Sequence, residues 1–285
     1  MASGKIKVHV LRTGEVRVSP YLPFGGDAGL LKASGITTPK SQWIWLPVFS
    51  FFIEHPKARI VFDTGWHREM SPAGVFDKAA QIRSLGSRLL YGINQGRIAQ
   101  GEAIHEQLAA LGVQPSDIDL VLISHLDCDH VNGLRQLSGA RSILVSEAEM
   151  QGAARPGFQN RIRFQRRWWD GTGIGTFDWN GTEGPVGHSY DVLGDGSLTM
   201  VHIPGHSEGL CALKIRGSDG RYVLLFADGG YGTRSWRDMI TSGVALDKRL
   251  QRQSLLWIRE QSLSADCVES IATHDAQVAP HTVEI

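Results

Sequence analysis

The sequence is poor in cysteine, has no excess of either charge and contains no long apolar run. Each shortage removes a class of protein. Three cysteines in 285 residues (Cys128, Cys211 and Cys267) are too few and too scattered for a disulfide framework, which points to a reducing compartment. Lys and Arg together number 29, as do Asp and Glu, so the basic excess of a dedicated nucleic-acid binder is missing. The most apolar window, residues 43–53, is interrupted by Pro47 and Ser50, whereas a membrane helix needs about 20 apolar residues. The opening MASGKIKVHVLRTGE has no apolar core behind a basic head, so no secretory signal is expected and the protein reads as cytoplasmic. No internal repeat or low-complexity tract stands out. The length leaves ample room for a buried core, and residues 1–285 read as one domain.

Within that frame the apolar pattern alternates between strands and helices. Residues 5–11 alternate as a half-buried strand, and residues 20–39 follow as a loop rich in Gly and Pro. Residues 43–54 and 58–62 read as two strands around a turn at His55-Pro56-Lys57, and the second runs into the polar turn Asp63-Thr64-Gly65. Residues 98–111 carry helical spacing with Gly112 as a stop, and residues 119–123 form a short continuous apolar run typical of a strand buried on both faces. Strand signals return at residues 198–203, 211–215 and 222–226, the last two as a hairpin, with a helix over 246–258 and a short apolar run over 268–272. The alternation predicts a layered α/β fold. Residues 151–190, rich in Gly and Trp and without a periodic apolar face, read as an insertion or lid.

The chemistry sits where strands end. After residues 119–123 comes Ser124-His125-Leu126-Asp127-Cys128-Asp129-His130, and after 198–203 comes Gly205-His206-Ser207-Glu208-Gly209. After 222–226 comes Asp228, and after 268–272 comes His274-Asp275. Strand ends that each deliver a His or Asp converge on the carboxyl edge of a sheet, where α/β proteins place their sites. A lone His or Asp at such a position is commonly a turn residue. Four titratable groups within residues 125–130, however, would be costly beside a buried strand unless something paired them. Imidazole and carboxylate together suit Zn²⁺, Mn²⁺ or Fe²⁺. Structural zinc prefers cysteine-rich sites and only Cys128 lies near, so an open catalytic site is the better reading. His125, Asp127, Asp129, His130, His206, Asp228 and His274 supply enough donors for two ions, with Asp228 able to bridge them. Cys128 is expected to point into packing. His9, His55, His67, His105, His188, His202 and His281 have no clustered partners and read as structural or surface residues.

These motifs resemble the metallo-β-lactamase superfamily, and within it the N-acyl homoserine lactonase-like branch of quorum-quenching enzymes. The family's His-x-His-x-Asp-His, Gly-His-Ser/Thr-x-Gly, bridging Asp and final His correspond in order to residues 125–130, residues 205–209, Asp228 and His274. Asp63-Thr64-Gly65 looks like the family's early Asp-Thr-Gly, and Tyr231, three residues after Asp228, matches a lactonase tyrosine. The resemblance implies an αββα sandwich with two divalent ions, most readily Zn²⁺, at one edge. One ion would be held by His125, Asp127, His206 and Asp228, the other by Asp129, His130, His274 and Asp228. It further implies a small-molecule lactone or related ester substrate, opened by a hydroxide held between the ions. Tyr231 would steady the oxyanion and Asp129 would hand a proton to the leaving alkoxide. A cysteine at the bridging position, frequent in the superfamily's β-lactamases, is replaced here by Asp228.

Asp127 departs from the pattern, since the family has histidine there. As a ligand it makes the first set richer in oxygen, which favours Mn²⁺ or Fe²⁺, and it lowers the positive charge of the site. The water pKa is then depressed less, and activity is expected to move to higher pH. The same His-x-Asp-x-Asp-His variant resembles nuclease-like domains of DNA-uptake competence proteins, so a phosphodiesterase remains an alternative, as does a metal-binding scaffold without catalysis. Arg155, Arg161, Arg163, Arg166 and Arg167, interleaved with Phe158, Phe164, Trp168 and Trp169, read as a solvated face, a subunit contact or a lid. In the lid reading, Trp168 and Trp169 line an acyl-chain pocket. Neither a nucleic acid nor a membrane is expected as partner, and a homodimer is left open.

Overall fold

A computed structural model describes residues 5–285. Residues 1–4, the start of the segment read above for a signal, lie outside the described residues. The amphipathic alternation of residues 5–11 opens a longer strand, β1 (Lys7–Val18), whose buried Val8, Val10 and Val16 face the core. β1 pairs antiparallel with β2 (Ile44–His55), with a register shift between Arg12 and Glu15, and β2 returns through a tight turn into β3 (Ala58–Phe62). β4 (Gln95–Arg97) pairs with β1. β5 (Leu120–Ile123), β6 (Ser142–Ser146) and β7 (Gly175–Phe177) then extend the sheet in parallel from β3.

The second sheet is built from β8 (Ser189–Asp191), β9 (Leu198–His202), β10 (Cys211–Arg216), β11 (Tyr222–Leu225) and β12 (Cys267–Ile271). Its order is β12-β11-β10-β9-β8, antiparallel except for the β11–β12 pair. β13 (His281–Glu284) crosses back to close the first sheet beside β1. Both sheets are therefore mixed, in accord with the sandwich expected.

Two apolar layers hold the sandwich. Between the sheets, Val8, Phe51, Ile53 and Phe62 of the first meet Met200, Leu213 and Leu225 of the second. On the far face of the first sheet, Val61 and Val121 pack against Leu85, Leu90 and Leu108 from helices Lys78–Leu85, Arg88–Ile93 and Ile104–Ala110. Helix Lys248–Ser262 turns Leu255 and Ile258 onto the second sheet. Burial of this kind contributes roughly 25 cal/mol per Å² of apolar surface and dominates the stability. Among the described residues no helix is long and apolar enough to cross a membrane.

The segment over residues 151–190 is woven into both sheets, through β7 and β8. Trp168 and Trp169 are 2% and 5% exposed and belong to the core beneath the first sheet, and the Trp168 indole donates to the Ser84 carbonyl. Neither lines the large cavity beside the candidate metal ligands, which corrects the lid reading for these two residues. Their size and their anchored indole favour burial over a place at a solvent edge.

Candidate metal centre

Every strand end named by the sequence arrives at one edge of the sandwich. β3 stops at Phe62, and Asp63 takes a left-handed conformation (φ 57°), unusual without glycine. Its carboxylate accepts from the Ser124 backbone N–H at 2.8 Å and the Ser124 hydroxyl at 2.7 Å, and lies 2.7 Å from His130 Nδ1. Asp63 thus fixes the start of the His125 loop and orients the ring of His130, which is how a carboxylate behind a ligating histidine sets its tautomer. His125 is held by Ser124 Oγ at Nδ1 (2.9 Å), and His274 by the Pro47 carbonyl at Nδ1 (2.8 Å). All three rings turn Nε2 inward.

The Gly205–Gly209 element depends on its two glycines. A Cβ on Gly205 (φ +129°) would stand 2.2 Å from the Gln251 backbone nitrogen, and one on Gly209 would stand 2.1 Å from that of Glu149. Glu149, 1% exposed, joins this loop to the other: it accepts from the N–H of Leu126 at 3.0 Å and of Gly209 at 2.9 Å. Ser146 Oγ adds a bond to the Gly209 carbonyl at 2.7 Å. Neither Ser146 nor Glu149 stood out in the sequence. A buried glutamate at the start of helix Glu147–Ala154 looks like an ordinary first-turn acid until the loops it ties are seen.

The donors form three overlapping groups, each with atoms within 4.8 Å of one another: His125, Asp127 and His206; His125, His130 and Asp228; Asp129, His130 and His274. Asp228 faces both ends of this array, with Oδ2 3.5 Å from His206 Nε2 and Oδ1 3.2 Å from both His130 and His274 Nε2. It follows Ala227, a second left-handed non-glycine residue (φ 43°). Asp129 Oδ2 lies 3.4 Å from His274 Nε2. His125 Nε2, His130 Nε2 and Asp228 Oδ1 are buried without an aligned hydrogen-bond partner. Buried polar atoms left in this state are costly unless a cation takes them, so the donor set fits divalent metal.

The charged and titratable groups of the array act strongly on one another. Burial works against charge on Asp228, yet His274 and His130 beside it hold its carboxyl well below the usual range. Burial and then the Arg163 cation lower His206, which favours a neutral ring. In His130 and His274 the burial effect is outweighed by the carboxylates, chiefly Asp228, and both pKa values rise. Burial, then Asp228 and Asp127, push the Tyr231 phenol well up, so its hydroxyl keeps its proton. The Tyr231 ring stacks on His274 at 5.2 Å between centroids and meets His206 edge-on at 5.9 Å. The Cys128 thiol is buried, pushed up by that burial, and absent from the donor groups.

Arg163 is the residue the sequence did not single out from its neighbours. Its Nε and Nη2 donate to Asp127 Oδ1 and Oδ2 at 2.5 and 2.7 Å, Nη2 also lies 2.9 Å from His206 Nε2, and Nη1 donates to the His206 carbonyl. Burial opposes charge on Asp127, but Arg163 and the two histidines hold its carboxyl well below the usual range. Asp127 precedes helix Cys128–Val131 without capping it, its oxygens being engaged elsewhere. The signal available in the sequence was Asp127 itself, a further buried carboxylate that needs a counter-charge. With Arg163 beside it, the negative charge of Asp127 is balanced in the structure.

A cavity of about 1000 Å³ opens onto the array. Asp127, Asp129, Asp228 and Tyr231 line its floor, and Val16, Leu22, Leu90, Phe158 and Ile162 are among the apolar side chains of its walls.

Residues 43–224 match the metallo-beta-lactamase superfamily. The chain is similar to the N-acyl homoserine lactonase AttM of Azorhizobium caulinodans, 28% identical over 200 residues that cover 70% of each protein. Among solved structures it is similar to an N-acyl homoserine lactone hydrolase with the product N-hexanoyl-L-homoserine bound at its catalytic metal centre. That match has a TM-score of 0.71 and 19% identity, covering 97% of this chain and 95% of the other. It is also similar to AidC, a dizinc quorum-quenching lactonase in complex with product, with a TM-score of 0.64 and 14% identity, covering 100% of this chain and 95% of AidC.

Proposed function

Because this chain belongs to the metallo-beta-lactamase superfamily, we propose that it is a metal-dependent hydrolase that opens lactone rings, with N-acyl homoserine lactones as its substrate class. One observation carries the proposal: a single cavity joins the donor array and Tyr231 to a wall of apolar side chains. A polar ring with an acyl tail needs both, the ring against the donors and the tail along Leu22, Leu90 and Phe158. The named activities of AttM and of the product-bound structure point the same way.

Two divalent ions, Zn²⁺ first, suit the array, one at His125, Asp127, His206 and Asp228 and one at Asp129, His130, His274 and Asp228. Bound there, they supply Lewis acidity and an acidified water, the chemistry that ester hydrolysis requires. Tyr231, kept protonated, donates to the substrate carbonyl oxygen as charge develops on it. Asp129, on the cavity floor, takes up the proton that the attacking water loses and hands it to the departing alkoxide. The apolar walls suit a small acyl ester rather than a nucleic acid, and three unpaired cysteines accord with a reducing, cytoplasmic setting.

The test is a lactone panel in a weakly buffered indicator assay with Zn²⁺- or Mn²⁺-loaded protein, run beside Asp228→Ala. Turnover at least a thousandfold above the variant is expected, about 4 kcal/mol of barrier. Hydrolysis of bis(p-nitrophenyl) phosphate with lactones untouched would replace the proposal by a phosphodiesterase. Metal uptake without any turnover would replace it by a non-catalytic scaffold.

A further inference from the structure

Asp127 and His206 supply two of the three donor atoms of the first group, and Arg163 engages both: Nη2 is 2.7 Å from Asp127 Oδ2 and 2.9 Å from His206 Nε2. The second Asp127 oxygen is taken by Arg163 Nε at 2.5 Å, and Nη1 reaches the His206 carbonyl at 3.2 Å. A guanidinium offers a rigid fork of donors that matches a carboxylate in this way, and it keeps its charge at any working pH. The Asp127 and His206 lone pairs an ion would need at this end of the array are thus directed at a cation that the chain itself provides, while His125 Nε2 stays without an aligned partner. At the other end, Asp129, His130 and His274 have no Arg or Lys among their hydrogen-bond and ion-pair partners in the described residues.

We propose that Arg163 is the resident cation of the first donor set, so that the centre takes one divalent ion tightly at Asp129, His130, His274 and Asp228 and a second only when the guanidinium leaves Asp127. Charge makes the same point. Three carboxylates, those of Asp127, Asp129 and Asp228, face the array, and one divalent ion plus one guanidinium neutralise them. A second ion beside a fixed Arg163 would add two further positive charges to a buried site whose remaining carboxylate, Asp63, is already paired with His130. Exchange breaks the Arg163–Asp127 pair but needs no repacking of the core, because Arg163 ends the six-residue helix Phe158–Arg163, which has no buried residue and whose Phe158 is 74% exposed. Asp127, where the family pattern has histidine, and Arg163 then act as one unit, and neither serves its purpose without the other. The inference rests on divalent metal binding at this array and is independent of which ester is cleaved.

Calorimetric titration of chelator-stripped, full-length protein with Zn²⁺, checked by elemental analysis after dialysis, tests it. The wild type is expected to bind one ion at least 100-fold more tightly than the second, and Arg163→Met to bind two ions within tenfold of each other. Nitrogen-15 NMR of the Arg163 Nε–H provides a readout that needs no stable variant. Its resonance, assigned by its absence from Arg163→Lys or by through-bond correlation, should stay through the first equivalent and shift or vanish with the second. Two equally tight ions in the wild type, a weak second ion persisting in Arg163→Met, or an unmoved Arg163 resonance at two equivalents would each overturn the proposal. No zinc uptake at all would overturn the metal centre, and this proposal with it. Zinc uptake in the expected order without lactone turnover would leave it standing and overturn only the substrate assignment.

Discussion

Glu149 shows how much of the site is decided by side chains that never meet a substrate. Its two oxygens tie the backbone of Leu126 to that of Gly209, and so fix the distance between His125 and His206 from behind. Glu149→Gln keeps one acceptor and turns a donor toward the other N–H. The expected cost is about 2–4 kcal/mol, from losing one charge-assisted bond and leaving a buried donor unmatched. Denaturant unfolding with and without chelator checks it, and zinc affinity should fall as the loops part. An unchanged midpoint and affinity would show that the loops hold themselves. At this scale the seven donors were readable in advance, because a His or Asp placed directly after an apolar run has few other uses in such numbers. Arg163 was hidden by its company, standing among four other arginines within residues 155–167. Only packing distinguishes it: it is caught between Asp127 and His206 while Arg166 lies out with Asp170.

Elements were readable where periodicity was strong and blurred where local chemistry intervened. The hairpin at residues 211–226 and the strand pair at residues 44–62 stand where their apolar runs put them. The helix expected over 98–111 begins at Ile104, because Gln95–Arg97 is drawn into pairing with β1 and the chain must turn before it can coil. Strand Ser142–Ser146 shows only the three apolar residues Ile143, Leu144 and Val145 between serines and is not among the strands read from the sequence, and residues 20–39, rich in Gly and Pro, still form two four-residue helices. Helix Lys248–Ser262 allows stability and metal binding to be separated. Asp247 caps it by accepting from the Leu250 N–H at 2.9 Å, while Gly205 lies against it at Gln251. Asp247→Ala should cost about 1 kcal/mol and leave zinc affinity alone. Gly205→Ala forces a Cβ into backbone and should cost roughly 2–4 kcal/mol while displacing His206 and weakening metal uptake. Thermal unfolding beside zinc titration of both variants decides this; equal effects on metal uptake would contradict it.

Across the whole molecule, the fold buries two of its thiols, half-buries the third, and gathers several exposed apolar side chains at the cavity. Burial pushes the Cys267 thiol up to about 11, and Cys128 and Cys211 are raised further toward inertness by their deeper burial. The reactive thiolate is therefore scarce at neutral pH and grows as pH climbs toward that value. Iodoacetamide labelling of native protein should be slow at pH 8 and speed up about tenfold per pH unit, whereas unfolded protein labels three times at once; rapid native labelling at pH 8 would contradict it. The exposed apolar side chains Leu30, Ile36, Leu89, Phe158 and Leu246 gather at the cavity. Phe158→Ala should lower kcat/KM for a long acyl chain about tenfold more than for a short one, given ~1–3 kcal/mol for apolar side-chain burial. Trp168→Ala should cost about 3–5 kcal/mol of stability with the chain-length preference unchanged.

The central claim is that the donor array, Tyr231 and the apolar cavity form one centre that hydrolyses lactones with metal. It is tested most directly by incubating zinc-loaded wild type and Asp228→Ala with N-decanoyl-homoserine lactone and following the product by mass spectrometry. The account predicts that the wild type adds the mass of one water to the lactone, that chelation stops it, and that the variant leaves the lactone intact. A lactone that survives the fully loaded wild type, or that opens equally fast with the variant, would contradict it.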